Sequence, residues 1–176
     1  MELYHINSST QSIVLKSENH STPAIIYWGK KLGAEIDLSQ MDTTACYDLA
    51  GGMIDAVIPI DIFPQCGDSF AGHAGLKIRS KTGIKLYPKF RLCSVEATNS
   101  KFSCVVSDDK LGLVYNASLW VDVYSDLIVS SAELKCKGPV IVDWFSAPVV
   151  PIDDIALELV EFSGRWTKEL QMNHVQ

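Results

Sequence analysis

The chain has 176 residues, 47% of them hydrophobic, which is enough to bury one core without disulfide staples. Its 15 Lys and Arg against 21 Asp and Glu give a formal net charge of −6, and the basic residues are scattered, which argues against nucleic acid or an anionic membrane as partner and favours a neutral one. Five cysteines (Cys46, Cys66, Cys93, Cys104 and Cys136) include no Cys-x-x-Cys pair, so neither a zinc site nor a disulfide framework is signalled.

Reduced and mostly buried thiols of a cytoplasmic protein are the expectation. The opening Met1-Glu2-Leu3-Tyr4 is acidic and alternating, unlike a signal peptide. No apolar run approaches the ~20 residues of a membrane span.

Residues 2–7 and 11–17 read as a hairpin around Asn7-Ser8-Ser9-Thr10, since Ser and Asn supply turn chemistry between β-branched flanks. Residues 23–29 form a third strand, opened by Pro23 and closed by Gly29, with Tyr27 and Trp28 on opposite faces. From Lys30 to Ala74 regularity is lost, with Gly51-Gly52, Pro59 and Pro64 breaking every period, although a helical turn fits within residues 38–49. An excursion this long is expected to reach a ligand or a neighbouring subunit, and a surface loop that merely packs is the alternative.

Beyond Gly75 the pattern is β: Leu76-Lys77-Ile78-Arg79, Ile84 to Tyr87, Phe90 to Cys93 and Phe102 to Ser107 alternate or carry β-formers. Residues 113–124 place Leu113, Tyr115, Ala117, Leu119, Val121 and Val123 on one face, as in a strand of an antiparallel sandwich. Residues 127–136 pair back through a Ser125-Asp126 turn. The unalternated run at 140–151 reads as a strand covered on both faces. Strands at short intervals without a convincing helix predict an all-β, antiparallel β-sandwich.

A phosphate loop, a Gly-x-Ser-x-Gly elbow and a His-Glu-x-x-His motif are all missing from the sequence. Four single histidines (His5, His20, His73, His174) signal no metal site, and no cofactor is called for. The adjacent pairs Asp108-Asp109 and Asp153-Asp154 read as turn residues, because neighbours in a turn point apart while a glycosidase needs carboxylates across a bond. Trp28, Trp120, Trp144 and Trp166 read as packing residues.

Three segments in register carry a family resemblance: Ile25-Ile-Tyr-Trp-Gly-Lys30; Gly52-Met-Ile-Asp55 leading through Phe63-Pro64 and Cys66-Gly67 to Phe70-Ala-Gly-His73-Ala-Gly75; and Ser163-Gly-Arg-Trp-Thr-Lys-Glu169. Together they resemble the N-terminal β-supersandwich domain, of galactose mutarotase-like fold, of family 36 glycoside hydrolases, the bacterial α-galactosidases. The resemblance spans essentially residues 1–176 as one such domain, expected to be incomplete and without the barrel.

The resemblance implies a parent enzyme that hydrolyses terminal α-galactosyl groups of raffinose- or melibiose-type substrates with retention. Its two catalytic aspartates would lie on a following (β/α)8 barrel, so no catalytic residue is expected in this chain. The domain's implied roles are to brace that barrel, to build oligomers and to close the substrate site through a loop. Asp55 and His73 are the implied substrate-binding candidates. The family's arginine after the Gly-Asp stretch is missing, since Phe70 is followed by Ala71. Two rivals remain: an independent carbohydrate-binding or interaction module, and a free sugar mutarotase, which needs a His and a Glu converging in a cleft. A domain of this kind is expected to expose a sheet edge or an apolar patch.

Overall fold

The structure is a computed structural model. It describes residues 1–45, 61–68, 70, 72–146, 148–151 and 158–175. Among these the fold is an all-β antiparallel sandwich with one short helix. Strands β1 (Glu2–Asn7), β2 (Gln11–Ser17) and β3 (Ala24–Lys30) form one meander. Helix α1 (Leu38–Ala45) follows, and a 3-10 turn occupies Cys66–Asp68.

Strands β4 (Leu76–Ser80) and β5 (Lys85–Leu86) pair with each other, and β10 (Val140–Phe145) adds to the other side of β4. A four-stranded meander is built from β6 (Arg91–Ala97), β7 (Lys101–Asp108), β8 (Leu113–Val121) and β9 (Ile128–Cys136). The hairpin of β11 (Leu159–Arg165) and β12 (Lys168–Val175) comes last in chain order.

One core joins these sheets. Ile6, Ile13 and Leu15 from the first meander cluster with Phe102, Cys104 and Val106 of β7 and with Leu113, Tyr115, Ala117 and Leu119 of β8. Each fully buried Ile, Leu, Val or Phe among them contributes about 1.5–3 kcal/mol. The stretch from Asp61 to Gln65 threads this interior. Ala24 bridges Asp61, Ile62 N–H donates to Pro23 O (2.8 Å), Val149 N–H to Ile62 O (2.8 Å) and Gly75 N–H to Pro64 O (2.8 Å). Those partners let an irregular backbone be buried, as an unpaired one could not be. Phe63 is thereby stacked on Tyr115, with ring centroids 3.9 Å apart, and meets Phe90 edge-on at 5.3 Å.

Two carboxylates organise turns. Asp126, at a positive φ of 58°, accepts from Ser9 N–H (2.6 Å), Thr10 N–H (3.1 Å), Thr10 Oγ1 (2.7 Å) and Ser8 Oγ (3.1 Å), so the β8–β9 turn grips the β1–β2 turn. These donors hold its carboxyl well below the ordinary range, the Ser9 backbone N–H contributing most. Asp108 is buried and accepts from Lys89 N–H (2.8 Å) and Leu111 N–H (3.1 Å), which is the turn role expected of it. Asp153 and Asp154 lie outside the described residues.

Three expectations need correction. The inward face of β8 is buried as far as Leu119, but Val123 is 79% exposed because the strand ends at Val121, where Asp122 takes the Ser125 N–H into a turn. The apolar run at 140–145 is a strand, yet it is not covered on both faces within this chain: Ile141, Val142, Trp144 and Phe145 are exposed. Of the tryptophans, Trp120 is half-buried, whereas Trp28, Trp144 and Trp166 are exposed, so core packing fails for those three.

The segment Gly164-Arg165-Trp166 forms the tip of the β11–β12 hairpin. The ladder slips between Ser163 and Arg165, and a Cβ on Gly164 would sit 2.8 Å from Glu169 Cα and Lys168 O, so only glycine fits this bulge.

Candidate functional site

The sheet β10–β4–β5 gathers most of the solvent-facing chemistry. Alternation along Leu76-Lys77-Ile78-Arg79 buries Leu76 and Ile78 and turns Lys77 outward. Lys77 is the ladder partner of Trp144, and His73 lies against that indole edge-on, 4.9 Å between centroids. Lys77 Nζ donates to His73 Nε2 at 3.0 Å. An ammonium can only donate, so Nε2 is the acceptor and Nδ1 carries the proton that it donates to Ala74 O at 3.1 Å. Both ring nitrogens of His73 are engaged, and a sugar hydroxyl would reach Nε2 only by displacing Lys77.

A cleft of about 260 Å³ opens beside this group. Phe63, Leu76, Ile78 and Phe90 line it from the core side, and Lys77, Lys85, Tyr87 and Asp143 carry its polar and aromatic rim. Asp143 sits in the β10 bulge between Val142 and Trp144 and takes a two-pronged contact from Arg79, Nε to Oδ2 at 2.7 Å and Nη2 to Oδ1 at 2.6 Å. The guanidinium holds the Asp143 carboxyl below its ordinary range, with Lys85 adding in the same sense. The polar Asp143 inside an otherwise apolar run was the one sequence signal of this rim.

His73 is therefore placed in a surface group with Lys77 and Trp144, which the sequence reading had not joined to it. Asp55 lies outside the described residues, and so does Cys46. His5 is half-buried with its Nε2 unpartnered among the described residues, and burial lowers its pKa. His174 pairs with Glu158 on the exposed β11–β12 hairpin rather than in a cleft, which does not provide the arrangement a mutarotase needs. Among the described residues no three His, Cys, Asp or Glu side chains converge on a cation position. Cys104 is buried, which pushes its thiol up to about 12, while Cys66, Cys93 and Cys136 are free and exposed, so the expectation of mostly buried thiols fails among the described residues. No described helix is long and apolar enough to cross a membrane.

Fold and site define an antiparallel β-sandwich that presents an aromatic, charged sheet to solvent. Residues 21–176 match the family model described as the glycosyl hydrolase family 36 N-terminal domain, and the chain belongs to that family. An α-galactosidase of Escherichia coli is 24% identical over 176 residues, covering 97% of this chain and 23% of its own length.

Solved structures agree on the fold. A Geobacillus stearothermophilus α-galactosidase in complex with 1-deoxygalactonojirimycin superposes with a TM-score of 0.75 at 15% identity, over 98% of this chain and 28% of that one. The α-galactosidase of Lactobacillus brevis gives 0.69 at 13% identity, over 98% and 27%. The chain thus spans about a quarter of the length of these relatives.

Proposed function

We propose that this chain is the N-terminal, non-catalytic β-sandwich portion of a cytoplasmic α-galactosidase, whose whole form removes terminal α-D-galactosyl groups from raffinose- or melibiose-type substrates with retention. The reading rests on the family match over residues 21–176. Its part here is to scaffold the catalytic barrel, to support oligomers and to help close the substrate site through the excursion that carries Asp55 and His73. The open apolar surface supports the scaffolding role: Val142 and Phe145 on β10, and Phe162, Met172 and Leu170 on the hairpin, are all exposed. Surface of that kind is generally an interface.

An independent carbohydrate-binding module is the competing reading, favoured by the exposed Trp144 beside His73 and Lys77. Assay of α-galactosidase turnover separates the two. The 176-residue chain alone is expected to be inactive, and the same sequence continued into a barrel is expected to be active. Turnover by the short chain, or a longer natural protein without α-galactosidase activity, overturns the proposal.

A further inference from the structure

We propose that the end of β5 forms a non-catalytic saccharide subsite, in which one pyranose ring of a neutral sugar enters the cleft against Tyr87 while the adjoining sugar lies toward Trp144. Strand β5 pairs with β4 through only two rungs, Ile78 with Leu86 and Arg79 with Lys85. Past Leu86 the chain leaves the ladder, and the cleft opens between Tyr87-Pro88 and the Leu76-Lys77 segment of β4. At about 260 Å³ it falls below the roughly 300–1,000 Å³ of sites for drug-sized molecules, so it suits a single ring rather than a whole oligosaccharide.

The lining is two-faced in the way a pyranose is. The half-buried Leu86 and the exposed ring of Tyr87 offer apolar surface above the buried Phe63, Leu76 and Phe90, and the rim supplies donors from Lys77 and Lys85 and an acceptor from Asp143. Arg79 already fixes the Asp143 carboxylate by two hydrogen bonds, and its remaining lone pairs stay available, so ordering that acceptor costs little on binding. Sugar hydroxyls supply the donors that those lone pairs need, whereas a phosphate would meet a carboxylate.

Two aromatic side chains of this sheet region are open to solvent: Tyr87, in the cleft lining, is 62% exposed, and Trp144, the ladder partner of the lining residue Lys77, is 48% exposed. Tyr87 follows β5 directly and Trp144 stands on β10, so the two lie to either side of β4. Apolar ring faces left in water beside fixed hydrogen-bonding groups are the elements of sugar stacking.

The test is titration of the ¹⁵N-labelled 176-residue chain with raffinose, read by amide and indole chemical shifts. Shifts are expected at Lys77, at Lys85 to Tyr87 and at the Trp144 indole, saturating in the millimolar range. Tyr87→Ala and Asp143→Asn are each expected to weaken the apparent affinity roughly three- to ten-fold, while Val123→Ser, on a distant turn, leaves it unchanged. Circular dichroism of each variant checks that the sheets persist, and Tyr87 is exposed enough for its loss to be tolerated. No shifts with raffinose, shifts indifferent to Tyr87→Ala, or the same shifts produced by inorganic phosphate at lower concentration would each overturn the subsite. The readout needs no turnover, so its failure is distinct from failure of the α-galactosidase reading.

Discussion

The two halves of this sandwich solve burial differently. The β1–β3 and β6–β9 meanders close on each other: Ile6, Ile13, Phe102, Tyr115 and Leu119 have essentially no exposed surface. The β10–β4–β5 sheet and the β11–β12 hairpin instead leave Val142, Trp144, Val160, Phe162, Trp166 and Leu170 in water. Both halves are strands of similar apolar content, so the difference lies in what covers them. The first closes its core with Leu76 and Ile78 of β4 added to it, whereas a two-stranded ribbon like the β11–β12 hairpin is marginal in water without cover. Substitutions should therefore act on the chain's own stability in the first half and on its associations in the second.

The largest effect is expected from Phe63→Ala. Phe63 is fully buried, stacks on Tyr115 and belongs to the threaded stretch that ties the first meander to residues 75 and 149. Deletion of a buried aromatic costs about 3–5 kcal/mol. Equilibrium urea unfolding measures it, and a cost as small as a surface change would mean that the two regions do not differ as described.

A smaller loss is expected from Asp126→Asn, which leaves one carbonyl oxygen where two carboxylate oxygens now serve four donors. The thermal midpoint should fall by a few degrees. The pH dependence has a definite sign. The folded-state pKa of Asp126 is depressed, so its contribution is present above the ordinary aspartate pKa and is lost as pH falls through the depressed value. The difference between the midpoints of the wild type and the Asp126→Asn variant should accordingly shrink on acidification below about pH 4. His5 adds an opposite case in cause but not in direction: burial lowers its folded pKa, so the unfolded state takes up the proton first and stability falls as pH drops below the ordinary histidine range. Midpoints measured from mildly alkaline to acidic pH check both.

Much of the first half was legible in the sequence. The hairpin about Asn7 to Thr10, the third strand, which runs one residue past the expected stop at Gly29, and the β8 face carrying Leu113, Tyr115, Ala117 and Leu119 follow from local alternation and turn chemistry. The second half was misread where periodicity stopped carrying the answer. A run such as Val140-Ile141-Val142 reports that apolar surroundings suit it, without saying whether the same chain supplies them. Tryptophan is ambiguous for the same reason, since a large ring packs in a core or lies on a surface. The site was less legible still, because His73, Lys77, Tyr87, Asp143 and Trp144 meet through a three-stranded sheet whose order, β10–β4–β5, does not follow the chain.

Within the closed half, Tyr115→Phe is expected to be neutral or to stabilise by about 1 kcal/mol. The Tyr115 hydroxyl is buried without a hydrogen-bond partner among the described residues, and burial raises its pKa. Removing an unpaired buried hydroxyl while keeping the ring relieves its desolvation cost and spares the stacking on Phe63. A clear loss of stability in the same urea experiment would show that the hydroxyl has a partner after all, and the dry core would need revision.

The smallest effect on this chain, and the sharpest on the comparison, is expected from Phe162→Ser and Trp166→Ala in the β11–β12 hairpin. Phe162 is 64% exposed and faces Met172 across the ladder, and Trp166 at the tip is 87% exposed. With so little contact to lose, either change should move the stability of the 176-residue chain by no more than about 0.5 kcal/mol. In the longer protein that the proposed function calls for, the same changes should lower the thermal midpoint or the oligomeric state, because there the apolar face of the hairpin is an interface. Calorimetry and light scattering on both lengths decide it. If Phe162→Ser destabilises the short chain as much as a core substitution, the hairpin is packed by its own chain. If it is silent in both lengths, this face is not an interface with the remainder of a longer protein.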